Sequence, residues 1–158
     1  KMLNEYLQFT SLSYLDKDEL FNLSDLIEDI IKKYENKNIS KNISSRVYFN
    51  GRKSLIKRCI NNLIDNSIKY GDQVKIELSK KNNNLFIKIE DDGPGIPEQE
   101  YENVFKPFYK IDRSRSETKS SVGLGLSISS DIIRSHGGNI SLGKSEMGGL
   151  KVKIALPI

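Results

Sequence analysis

The chain has 158 residues, with 25 Lys and Arg against 21 Asp and Glu, and the resulting net charge of +4 is too small to argue nucleic-acid binding from composition. A single cysteine, Cys59, excludes an internal disulfide and suits a reducing cytosol. No apolar run approaches the roughly 18 residues of a membrane span, and one domain of this size buries roughly 70% of its unfolded surface, enough for a core without covalent staples.

The chain begins at Lys1 rather than at methionine and is expected to be an excerpt from a longer protein. Residues 1–12 place Leu3, Tyr6, Leu7 and Thr10 at helical spacing, a short amphipathic piece expected to finish a helix begun upstream. Glu5 and Gln8 interrupt it where a signal peptide would stay apolar. DELFNL, residues 18–23, predicts a strand, and Ser24 is the expected cap of a helix whose apolar face is Leu26, Ile27, Ile30, Ile31 and Tyr34. NKNISKNISS, residues 36–45, reads as a polar connection. RVYFN, residues 46–50, predicts a short strand, followed by a helix over about 52–70 that turns Leu55, Ile56, Cys59, Ile60, Leu63 and Ile64 to the core. Residues 73–93 alternate on both sides of an asparagine-rich turn and predict a hairpin, and residues 139–144 and 150–156 predict a second around SEMGG. Strands and helices mix without regular βαβ alternation. The fold class expected is therefore a two-layer α/β sandwich, a mixed and mostly antiparallel sheet with helices on one face.

Three stretches carry chemistry. In NNLIDNSIKYG, residues 61–71, a helix spends Asn61, Asn62 and Asn66 on a poor helix former, because asparagine's amide competes for backbone groups. At 100° per residue Asn62, Asn66, Lys69 and Tyr70 fall within about a third of the circumference, bordering the apolar stripe. Amide oxygens suit Mg²⁺, which keeps several waters and shares its shell with substrate phosphates, and lysine adds a phosphate-seeking charge. Ordinary polar positions on a half-exposed helix are the alternative. In EDDGPGIP, residues 90–97, Gly93 and Gly95 flank Pro94 in a turn that lets a flat ligand approach the backbone, with a carboxylate before it able to accept from an exocyclic amine. A calcium loop aligned on Gly93 fails, since it puts Lys88 and Gln99 at its first and last ligand positions; a plain turn remains open.

In SSVGLGLSIS, residues 120–129, Gly123 and Gly125 precede a helix carrying Leu124, Ile128 and Ile132, and free N–H groups there could cradle phosphate. The third glycine of a dinucleotide fingerprint is missing, with Ile128 in its place, and no Gly-Lys-Ser/Thr makes a P-loop. Residues 106–122 form a long, serine-rich connection in which Lys106, Lys110, Arg113, Arg115 and Lys119 face only Asp112 and Glu117, a candidate lid. His136, the only histidine, sits in SHGGNISL where helix gives way to strand and Gly137 can terminate the helix. It is read as structural.

In this order and spacing the stretches resemble the ATP-binding catalytic domain of two-component sensor histidine kinases, over roughly residues 18–158. NLIDNSIKYG is similar to the family's N box, DDGPGI to its first glycine box, FKPFYKIDRSRS to its F box and lid, GLGLSI to its second glycine box and GGLKVKIALP to its closing strand. The resemblance implies a left-handed α/β sandwich over residues 16–158 with a lid at about 106–122, and residues 1–15 as the end of a preceding dimerisation and phosphoacceptor hairpin. It implies that Asn66 binds Mg²⁺ with Asn62 assisting, that Lys69 meets phosphate and Tyr70 lies against the nucleotide, and that Asp91 takes the adenine amine. By the same resemblance Gly93, Gly95, Ile96 and Phe105 shape the ATP pocket, Gly123, Leu124, Gly125 and Leu126 carry phosphates, and Lys110 and Arg115 reach the terminal phosphate. Ser121 departs from the family, which usually has glycine two places before Gly123, and implies a stiffer lid.

Chaperone, topoisomerase and mismatch-repair ATPases share this fold and generally resemble one another in a glutamate four residues before the magnesium asparagine. Here that residue is Asn62. An amide has no useful basicity toward water, which favours phosphoryl transfer over hydrolysis. The expected activity is transfer of the γ-phosphate of ATP to a histidine on a separate helical domain, for relay to a response regulator. A cytoplasmic location follows by the same resemblance, with no nucleic-acid partner, inside a parent that is a homodimeric, membrane-associated sensor. An ATP-hydrolysing conformational switch and a nucleotide-free interaction module are the alternatives.

Overall fold

The computed structural model describes residues 17–35, 37–107 and 125–158. Strand β1 (Glu19–Asn22) leads directly into helix α1 (Leu23–Lys32), where Leu23, Leu26, Ile27 and Ile30 are buried. Asn22 rather than Ser24 caps this helix, its side chain accepting from the Asp25 N–H at 3.0 Å. Ser24 lies one position inside the helix instead. Its hydroxyl donates to the Ser44 carbonyl at 2.6 Å and accepts from the Val47 N–H at 3.0 Å, tying α1 to residues 44–47, just before the strand that begins at Tyr48.

Residues expected to be a polar connection contain strand β2 (Asn38–Ile43), which pairs in parallel with a later strand from Asn38↔Gln73 to Ile43↔Leu78. Of the three side chains on one of its faces, Ile39 and Ile43 are half-buried while Lys41 pairs with Glu28 of α1. The apolar alternation is therefore broken at its centre. Lysine on such a strand also suits a sheet edge, where it discourages further pairing. Strand β3 (Tyr48–Gly51) pairs antiparallel with β1, and Phe21 meets Phe49 edge-on with ring centroids 6.0 Å apart.

Helix α2 (Lys53–Tyr70) buries Leu55, Ile56, Cys59, Ile60, Leu63 and Ile64 along the expected stripe. Each full burial of an aliphatic residue is worth about 1.5–3 kcal/mol. Burial also pushes the Cys59 thiol up to about 12, so it stays an uncharged core group. Strands β4 (Gln73–Lys81) and β5 (Asn84–Asp91) form the first hairpin, with Asn82 at φ 57° in the two-residue turn. Two short 3₁₀ turns, Glu98–Glu100 and Asn103–Phe105, precede helix α3 (Gly125–Ser135). Strands β6 (Asn139–Lys144) and β7 (Leu150–Pro157) close the chain as the second hairpin.

The main sheet has the order β2-β4-β5-β7-β6, antiparallel except for β2–β4. Val74, Ile76, Leu78, Leu85, Ile87, Ile89, Val152, Ile154 and Leu156 face the helical layer and form one core with it. The other face is polar, with Glu77 ion-paired to Lys75 and Lys88 at 3.3 Å each. This is the expected sandwich. No helix among the described residues is long and apolar enough to cross a membrane.

Candidate functional site

The site is organised by the place where β5 leaves the sheet beside the end of α2. Asp91, the last residue of β5, is only 4% exposed. Its Oδ1 accepts from the Gly93 N–H at 2.9 Å and the Leu150 N–H at 3.2 Å, and the Ser67 hydroxyl of α2 is a further partner. Burial raises the carboxyl's pKa above the ordinary aspartate value; the Gly93, Leu150 and Ser67 bonds oppose this and the charge of Asp92 reinforces it. Asp92 behaves oppositely. It accepts from the Gln73 N–H at 2.9 Å and the Asp72 N–H at 2.7 Å, and these bonds, led by Gln73, hold its carboxyl below the usual range. Of the two neighbouring carboxylates, Asp92 is engaged with the start of β4 and Asp91 faces the helical layer.

Glycine is required around Asp91 for two different reasons. At Gly93 a Cβ would stand 2.5 Å from the Tyr70 carbonyl oxygen, so the end of α2 presses directly on this turn. At Gly95 the backbone has φ +73°, the left-handed region that favours glycine. Ile96 and Phe105 are half-buried and pack against the core below the turn.

Along α2 the three asparagines separate by face. Asn61 lies beside Asp65 on the flank toward α1, where the Tyr34 hydroxyl donates to Asp65 at 2.6 Å and meets Asn61 at 3.5 Å. Burial, then Asp65, raises the Tyr34 pKa and keeps the phenol neutral. Asn62 and Asn66 are half-buried on the other flank, one turn apart. The Nδ2 of Asn62 is buried with no hydrogen-bond partner among the described residues. Lys69 and Tyr70 follow, with Lys69 Nζ 5.8 Å from the Tyr70 ring centroid. About 6 Å of helix axis separates Asn66 from Tyr70, and about 12 Å separates Asn62 from it. An elongated ligand can run along this flank with one end at Asp91.

A magnesium ion fits this donor set in kind. Neutral amide oxygens are hard ligands, and the described residues hold no group of three His, Cys, Asp or Glu that could enclose a metal without help. Its shell would need phosphate oxygens and water. Gly125 opens α3 with open space around it, and Leu126 packs on the core behind it. Lys110, Arg115, Gly123 and Leu124 lie outside the described residues, as do residues 1–15 and all of the lid segment except Lys106 and Pro107. Lys106 donates to Asn103 at 3.0 Å.

His136 is structural. Its Nε2 accepts from the Arg52 N–H at 3.0 Å, its Nδ1 donates to the Ile132 carbonyl at 2.7 Å, and the ring leans on Phe49. Burial lowers its pKa, in keeping with a neutral ring. Gly137, at φ +78°, ends α3 as expected.

Sequence reasoning missed Ser67, Gly149 and the Leu150 N–H as neighbours of Asp91. At Gly149 a Cβ would fall 2.2 Å from Asp91 Oδ1, while its N–H donates to the Asp91 carbonyl at 3.1 Å. The only signal was the Gly148–Gly149 pair, which reads as a hairpin loop until the opposite strand is known.

A family model described as histidine kinase-, DNA gyrase B-, and HSP90-like ATPase matches residues 51–158. Sensor histidine kinase GtrS of Pseudomonas aeruginosa is 39% identical over 107 residues, covering 68% of this chain and 22% of that protein. Sensor protein kinase PmrB of the same organism is 33% identical over 165 residues, covering 95% of this chain and 34% of that one. The chain thus spans between about a fifth and a third of the length of these relatives. Among solved structures, the catalytic domain of histidine kinase ThkA superposes with a TM-score of 0.76 at 26% identity, covering 89% of this chain and 95% of that one. The histidine kinase domain of the E. coli osmosensor EnvZ gives 0.67 at 31%, covering 89% and 88%.

Proposed function

The chain belongs to the histidine kinase-, DNA gyrase B-, and HSP90-like ATPase family, and on that footing we propose that it binds ATP with Mg²⁺ and transfers the γ-phosphate to a histidine on a separate helical domain. The observation that carries this reading is Asp91: a buried carboxylate at a strand end, held by peptide N–H groups where glycines let neighbouring backbone close on it. The adenine amine would donate to this carboxylate, and Tyr70 would lie beside the nucleotide. Asn66, with Asn62, would hold Mg²⁺, which when bound neutralises phosphate charge. Lys69, Lys110 and Arg115 would meet the phosphates; Gly123, Leu124, Gly125 and Leu126 would offer them peptide N–H groups at the start of α3.

In the transfer itself an imidazole nitrogen of the acceptor attacks the γ-phosphorus, the bond to the β–γ bridging oxygen breaks, ADP leaves with the electron pair, and the imidazole gives up its proton. Positioning and charge neutralisation are what this step asks of the protein. His136 is excluded as acceptor because both ring nitrogens hold the fold together. The acceptor domain, the response regulator, the homodimeric parent and the cytoplasmic location belong to the same proposal.

Equilibrium titration with a non-hydrolysable ATP analogue tests it. Binding that strengthens on adding Mg²⁺ is expected, and absence of binding would leave only an interaction module. With labelled ATP, the 158-residue chain alone is expected to remain unlabelled and to turn over little ATP. Robust steady-state hydrolysis would favour the conformational switch, for which Asn62 offers no general base.

A further inference from the structure

We propose that Glu90 and Ser145 are positioning residues for Asp91, fixing the carboxylate that selects a purine bearing an exocyclic amine. The inference rests on the assignment of Asp91 to the adenine amine. Glu90 precedes Asp91 on β5, and alternation sends its side chain to the opposite face of the sheet, yet it is only 7% exposed. A carboxyl group buried there is costly unless it is hydrogen-bonded. Its partner is the hydroxyl of Ser145, itself 4% exposed, which donates to Glu90 Oε1 at 3.0 Å and accepts from the Met147 N–H at 2.9 Å.

Ser145 opens the turn between β6 and β7. The Ser145 N–H donates to the Gly149 carbonyl at 2.8 Å and the Gly148 N–H donates back to the Ser145 carbonyl at 3.0 Å, closing the turn on itself. The two residues that leave this turn are the ones that hold Asp91: the Gly149 N–H bonds its carbonyl and the Leu150 N–H bonds its Oδ1. Glu90 thus anchors, from one side of β5, the turn that grips Asp91 on the other. The Gly93 and Leu150 N–H groups both fall on Oδ1. Both peptide donors thus hold one oxygen and, with the Ser67 hydroxyl as a further partner, fix how the carboxylate meets the base. Loosening the turn frees the carboxylate to rotate, and discrimination falls even where overall affinity for triphosphate survives.

The readout is therefore a ratio: affinity for ATP divided by affinity for purine ribonucleoside triphosphate, which lacks the 6-amine, measured on the 158-residue chain. The parent should prefer ATP by about 10-fold or more, and Ser145→Ala should lower that preference by roughly 3- to 10-fold, the worth of one ordinary hydrogen bond. Ser145→Thr restores the hydroxyl and should restore the preference. A folded Ser145→Ala that keeps the parental ratio, or that loses affinity for both triphosphates by the same factor, would overturn the proposal. A parent without preference would instead overturn the assignment of Asp91 to the amine. Hydrogen exchange on the ligand-free parent needs no variant: slow exchange at the Gly149 and Leu150 amides is expected, and fast exchange at both would show that the turn does not hold Asp91.

Discussion

At the Tyr70 end of α2, Asp91 is fixed by peptide N–H groups from two directions and packed against backbone, with gaps too small for a single added methyl at Gly93 and Gly149. At the Asn62 end, about two turns away, a side-chain amide nitrogen is buried with no partner among the described residues. The first region is assembled before any ligand arrives. The second presents one amide donor, Asn62 Nδ2, from which a phosphate oxygen of a ligand could accept. On the proposed assignment, the difference teaches that a base can be read by a carboxylate fixed in backbone geometry, whereas the phosphates meet side-chain groups further along α2.

Two substitutions should separate these regions most strongly. Asp91→Asn replaces the proposed charged acceptor with a neutral amide and should weaken binding of an ATP analogue by about 1.5–3 kcal/mol, the worth of a hydrogen bond to a charged group, with the Mg²⁺ enhancement retained. Asn66→Ala should do the reverse, removing the Mg²⁺ enhancement while keeping the preference for adenine. Equal loss of both properties in both variants would erase the distinction between the two ends.

A smaller effect is expected from Gly149→Ala. Its methyl would meet Asp91 Oδ1 at 2.2 Å and the Asp91 carbonyl oxygen at 2.5 Å, both on a strand that cannot yield freely. Overpacking of this kind costs about 1–3 kcal/mol, read as a lower thermal midpoint together with weaker adenine preference. A neighbouring Gly148→Ala should spare the preference, because its Cβ would meet nothing within 4 Å and only its φ of +103° is strained.

The smallest and most diagnostic effect is in pH. Asp91 has a raised pKa, mainly through burial, so it protonates at a higher pH than an ordinary aspartate as the solution is acidified. Adenine preference should fade in that window while amide-dependent Mg²⁺ enhancement does not titrate there. Stability runs the other way: the Asp91 contribution is fully present below the unfolded-state pKa and is lost as pH rises through the folded one. Asp91→Asn should flatten both trends, and preference that grew on acidification would contradict the assignment.

Much of this architecture was legible in residue order. The stripes of α1 and α2 and the alternation of β4, β5 and β7 reflect one buried face each, and periodicity reports such a face directly. Strand β2 escaped because Lys41, reaching Glu28, stands at the centre of its half-buried side. Ser24 was misread as a cap because its hydroxyl does cap backbone, though in the 44–47 segment rather than in its own helix. Asn62, Asn66 and Asp91 could be named from their motifs. Ser67, Gly149 and the Glu90–Ser145 pair could not, because each matters only through contact with a residue far away in the chain, and no local pattern encodes such a contact.

The central claim is that Asp91 and Asn66 grip opposite ends of one magnesium nucleotide. A crystal structure of the chain with an ATP analogue and Mg²⁺ tests it most directly: the account predicts an Asp91 carboxylate oxygen within hydrogen-bond distance of the adenine amine and the Asn66 amide oxygen about 2.0–2.1 Å from the metal. A nucleotide bound elsewhere, or bound here with neither residue touching it, would contradict the account.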